Sequence, residues 1–163
     1  MPDMVSCCAV AVDGSDSSME AVAWACRLTQ PNGRIIMVDI QDFTPLYAEM
    51  GMTPFSGGPN IDVDQISEDW DRAAQSVKEA AMAMVTQAGR VGEWHVRTME
   101  PGDGSPAAVF AKVAAEHQAE LILVGQHHGS TRIEGLFGSF PRWLVAHSHL
   151  PVLIVPIPAH ASP

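Results

Sequence analysis

The stretch VSCCAVAVDGSDSSMEAVAWAC, residues 5–26, changes its hydrophobic rhythm halfway along, and that change decides the fold. Val5–Val12 is a nearly continuous apolar run, the pattern of a strand buried on both faces. It stops at Asp13-Gly14-Ser15, a turn signal. Beyond the turn, Met19, Val22, Ala23 and Cys26 fall at i, i+3, i+4 and i+7, which predicts a helix, and Ser17 with Glu20 has the spacing of a capping box. A doubly buried strand feeding an amphipathic helix is the start of a parallel βαβ unit.

The same alternation continues along the chain. Pro31, Asn32 and Gly33 are expected to end the first helix, and residues 34–40, RIIMVDI, read as a second strand. Residues 41–65 keep no period and carry Ser56, Gly57, Gly58, Pro59 and Asn60, which predicts a long excursion. Residues 67–88 form the clearest helical pattern, with Trp70, Ala73, Ala74, Val77, Ala81 and Met84 on one face. Residues 93–99 alternate as a strand at a sheet edge, and Ser105-Pro106 opens a helix running to about His117. Residues 120–124, ELILV, are a further buried strand; Ser139 is placed to cap a short helix that carries Pro141 in its first turn, and residues 151–155, PVLIV, make a last strand. The order β-α-β-α-β-α-β-α-β demands parallel pairing through helical crossovers, hence a three-layer, doubly wound α/β fold of Rossmann-like type. Ligands of such sheets sit beyond the carboxyl ends of the strands. The Asp13 turn and the loop after residue 124 both lie there.

With 163 residues and 47% apolar content the chain can build one substantial core, and a single domain over residues 3–158 with a short tail at 159–163 is expected. No apolar run is long enough to cross a membrane and the first residues, MPDMVSCC, lack a signal-peptide layout, so a cytoplasmic protein is expected. Cys7, Cys8 and Cys26 have no metal-type spacing and read as buried free thiols. A formal charge of −10 argues against nucleic acid or an anionic membrane as partner, while a small anion can still bind through local backbone N–H groups.

Three segments, AVAVDGSDSSMEAVAWA, GDGSPAAVFAKVAAEHQAELILVG and GLFGSFPRWLVAHSHLPVLIVP, resemble the universal stress protein family in order and spacing. The resemblance implies a five-stranded parallel sheet of order 3-2-1-4-5, as in adenine nucleotide alpha hydrolase-like folds, and a homodimer formed through the last strand. In one branch of the family it further implies ATP, with Mg2+, over the ends of strands 1 and 4. That branch carries G-x2-G-x9-G-[ST] after strand 4. Gly125 and Gly138-Ser139 match its outer elements; His128 stands at the middle glycine, with Gly129 one residue later. On this reading Asp13 faces the adenine or ribose and Ile40 contacts the base. Gly125, His128, Gly129, Gly138 and Ser139 surround the phosphates, with Ser130 and Arg132 as further contacts. Gly129 would restore the cradle by a shift of register; if it does not, the chain is a nucleotide-free, dimeric interaction module.

Other chemistries have weaker support. His127, His128, His147 and His149 flank one loop and helix, but no carboxylate or cysteine completes a ligand spacing, so no metal is expected there. A G-x-S-x-G elbow is absent, against a serine hydrolase. Without a second carboxylate recognisable beside Asp13, binding and sensing are expected rather than turnover, a slow ATPase being the third reading.

Overall fold

The computed structural model describes residues 4–42, 63–126 and 138–157. Five parallel strands, β1 (Val5–Ala11), β2 (Thr29–Gln41), β3 (Val91–Thr98), β4 (Leu121–Gly125) and β5 (Val152–Val155), form one sheet. Its order, β3-β2-β1-β4-β5, is the expected one, and β3 lies at an edge as its wetter face implied. The helices are α1 (Asp16–Leu28), α2 (Val63–Gln87), α3 (Pro106–Glu116) and α4 (Ser139–His147).

Strand alternation sends β1 side chains to two separate cores. Cys7, Ala9 and Ala11 face α3 and α4, packing with Ala107, Phe110, Phe140 and Leu144. Cys8, Val10 and Val12 face the other way, against Ala21, Val22 and Ala25 of α1 and Ala81 and Val85 of α2. The three layers follow directly from this period of two. All three cysteines are free and buried; burial pushes the Cys8 thiol up to about 11, which keeps it protonated and unreactive.

Element ends depart from expectation at four places. The cap of α1 is Ser15, whose hydroxyl accepts from Ser18 N at 3.3 Å, so the Ser17/Glu20 capping box does not form. Ser17 is instead buried within the first turn. Helix α1 ends at Leu28, because Thr29 is already extended and buried as the first residue of β2, its hydroxyl donating to Cys8 Sγ at 3.2 Å. Pro31, Asn32 and Gly33 therefore belong to β2, where the register against β1 shifts between Val5 and Cys7. Helix α2 begins at Val63, inside the expected excursion; no proline or glycine follows Pro59 to break it. Residue 138, not Ser139, caps α4; Ser139 is its first helical residue, and Gly138 makes no side-chain cap hydrogen bond. Ser105 and Pro106 open α3 as expected.

Candidate functional site

The first turn after β1 is built by Asp13. Its Oδ1 accepts from Ser15 N at 2.9 Å and from Ser15 Oγ at 2.5 Å, an Asx turn that sets Ser15 as the helix cap. Ser18 Oγ donates to Ser15 O at 3.0 Å and accepts from Asp13 N at 3.3 Å, which ties the strand end to the helix. Gly14 holds the turn at φ +81°, and a Cβ there would lie 2.7 Å from Val77 Cγ2 of α2. Helix α2 therefore passes close over the end of β1.

Under that helix lies a cleft of about 350 Å3. Its strand side is Val12 and Asp13 after β1 with Asp39, Ile40 and Gln41 of β2; its roof is Asp69, Trp70, Ala73, Ala74 and Val77 of α2. Two residues picked out from the sequence, Asp13 and Ile40, thus meet in one cavity.

Gly125, Gly138 and Ser139 form a second group at the end of β4. Gln126 N donates to Val155 O at 2.7 Å, and Gly138 N donates to Gln126 O at 3.3 Å, bringing the start of α4 back to the strand end. A Cβ on Gly125 would lie 2.4 Å from Ser17 Oγ and 2.8 Å from Ser18 N. Because Ser18 also bonds Asp13, the first turn of α1 is the partition between the two groups. Among the described residues, Ser17 Oγ is buried beside Gly125 with no hydrogen-bond partner. His128, Gly129, Ser130 and Arg132 lie outside the described residues, as do His127, most of the excursion and residues 158–163.

Residues 4–156 match the universal stress protein family. The chain belongs to that family. A curated universal stress protein of Methanocaldococcus jannaschii is 29% identical over 155 residues, covering 91% of this chain and 81% of its own. The solved structure of the hypothetical protein MJ0577 shares the fold at a TM-score of 0.74 and 16% identity, covering 96% of this chain and 99% of its own. A universal stress protein in complex with cAMP superposes at 0.58 and 24% identity, covering 96% and 100%. The universal stress protein of Archaeoglobus fulgidus in complex with dAMP does so at 0.55 and 22%, covering 95% and 99%.

One carboxylate of this universal stress protein was missed by sequence reading. Asp39 shares the cleft with Asp13, which corrects the expectation that no second carboxylate stands beside it. Burial holds the Asp39 carboxyl above its usual range; a Gln41 amide contact at 3.5 Å works against this, and the nearby Asp13 charge adds to it. Between the ordinary carboxylate value and this raised value the folded state binds more protons than the unfolded chain. Stability therefore falls as pH rises through that window, and the loss persists at neutral pH. Asp39→Asn is expected to be more stable than the parent at neutral pH, with the difference shrinking in acid. Denaturant titrations across pH would read this, and parallel curves for the two proteins would refute it.

Proposed function

We propose that the protein binds an adenine nucleotide, ATP in the fullest form of the reading, at the carboxyl end of the sheet. The carrying observation is that Asp13 and Ile40 converge on one cleft beyond the ends of β1 and β2, the location where doubly wound sheets take ligands. A cavity of about 350 Å3 lies in the usual range for small-molecule sites. Val12, Val77 and Trp70 offer apolar and aromatic surface to a purine; Asp13 and Asp39 are acceptors suited to ribose hydroxyls or an exocyclic amine. Two carboxylates are poor company for phosphate, so the phosphates belong at the other group, beside the N-terminus of α4, where Ser139 is exposed. His128, Gly129, Ser130 and Arg132 are the proposed further phosphate contacts, and Mg2+ would accompany ATP. The complexes of relatives with cAMP and dAMP support the adenine nucleotide class.

The role that fits is sensing in the cytoplasm. Nucleotide occupancy would bias assembly or partner binding only through unequal affinity for two states. Assembly as a homodimer is proposed through β5, an edge strand whose Val152, Leu153 and Ile154 are only half-buried. That same edge supports the second reading, a dimeric interaction module without nucleotide.

Gly138→Val separates the two readings. Gly138 has φ −57° and ψ 164°, which valine accepts, so a lost ligand would not reflect backbone strain. Calorimetry with ATP-Mg and with AMP is expected to detect binding to the parent and at least about tenfold weaker ATP binding to the variant. Light scattering of the same samples reads whether occupancy changes the mass. No heat from either nucleotide at millimolar concentration would leave the interaction module, and equal ATP affinity in the variant would remove Gly138 from the site.

A further inference from the structure

On the opposite face of the sheet from the cleft's roof, near the amino-terminal half of the edge strand, β3 and α3 bring three ligand-type side chains together. Glu93 and His95 are two apart on β3 and so share a face. Their register partners, Ile36 and Val38, pack in the core under α3 and α4, which fixes that face. His117 is the C-cap of α3 and arrives from above. Glu93 Oε2 lies 3.5 Å from His95 Nε2 and 3.9 Å from His117 Nδ1, and one ligand atom from each of the three falls within 4.8 Å of the others. The imidazole centroids are 4.3 Å apart with the rings tilted by 43°.

These spacings say more than proximity. Both carboxylate–imidazole contacts are longer than the about 2.7–3.2 Å of an ordinary hydrogen bond. Ligands placed about 2.0–2.1 Å from a tetrahedral ion stand about 3.4 Å from one another. One pair is already at that spacing, and closing the widest gap takes roughly 1.4 Å, which partly exposed side chains supply by small torsional changes. The second carboxylate oxygen, Oε1, accepts from Arg34 Nε at 2.8 Å. That contact orients Oε2 toward the imidazoles in the way outer-shell partners orient metal ligands. Arg34 also brings a positive charge near the site, but it is already paired with Glu93, and the chain's net charge of −10 favours a cation overall.

We propose that Glu93, His95 and His117 form a binding site for a zinc-class divalent cation, with two imidazoles and one carboxylate as ligands and water completing the tetrahedron. Histidine and glutamate side chains here are 24–32% exposed, enough for an ion to enter from solvent. The bound ion clamps the edge strand β3 to the end of α3. Because the ligand atoms are assembled only in the folded chain, binding stabilises the fold by linkage. The site stands apart from the nucleotide reading and does not depend on it.

The test uses chelator-treated full-length protein titrated with zinc chloride. Calorimetry is expected to give one equivalent bound, thermal unfolding a higher midpoint with zinc, and cobalt substitution the visible absorption of a tetrahedral ion. His95→Asn and His117→Asn are each expected to weaken zinc binding by at least about tenfold, whereas the double variant His147→Asn/His149→Asn keeps parent affinity. Imidazole NMR resonances of the parent give a readout independent of whether the variants fold: those of His95 and His117 should shift with one equivalent of zinc. Absence of stoichiometric uptake by the parent, uptake retained in both single variants, or shifts confined to other histidines would each overturn the proposal.

Discussion

Gly125→Ala is expected to lower the free energy of unfolding by about 3 kcal/mol, the upper end of ordinary overpacking penalties. The new methyl carbon would lie 2.4 Å from Ser17 Oγ, 2.7 Å from Ser17 C and 2.8 Å from Ser18 N. A hydroxyl can rotate away, but two of these atoms are backbone of the first turn of α1. Relief requires the helix to move as a body, and Ser18 anchors it to Asp13 while Ala21, Val22 and Ala25 are packed in the core. The cost is thus shared between the end of β4 and the Asx turn, the two groups between which the nucleotide is proposed to lie. Urea titration followed by far-ultraviolet circular dichroism should show an earlier midpoint with an unchanged slope. A loss below about 0.5 kcal/mol, the range of neutral surface substitutions, would mean that the strand end and helix are not in contact as described.

Phe110→Ala should cost about 3–5 kcal/mol, through lost transfer free energy and the cavity left behind. Phe110 is fully buried in the layer between the sheet and α3, and its ring meets that of Phe140 on α4 with centroids 5.8 Å apart. It sits where α3, α4 and the sheet share one core, with Ala107, Ile122 and Leu144 around it, so relaxation into the gap has to shift the packing between the two helices. For a chain of this size the thermal midpoint should drop by roughly 6–20 °C. Differential scanning calorimetry measures it, and a drop of about 2 °C or less would contradict the assigned core.

The Asp13 side of the cleft was legible because its signals are local. Asp13 ends an apolar run before glycine, at a strand's carboxyl end where ligands of such sheets gather, whereas Ile40 was picked out by the family resemblance. Gly125 and Gly138 follow from the family's spacing. Asp39 was not legible: within RIIMVDI it looks like one polar residue on a strand, and only the passage of α2 over that strand makes it a wall of the cleft. The Ser17/Glu20 pattern misled for a similar reason. Both Ser15 and Ser17 are good caps by composition, and the Asx turn at Asp13 together with the pressure of Gly125 against Ser17 selects Ser15.

The sequence by itself determined the alternation of strands and helices, the two-sided burial of β1 and the edge position of β3, because periods of 2 and 3.6 are written into neighbouring residues. Tertiary structure decided which distant residues meet: Asp39 with Asp13 beneath Trp70, and Glu93 with His95 and His117 at the sheet edge. Those encounters depend on where a helix crosses a sheet, and packing geometry sets that crossing through contacts that no local pattern carries.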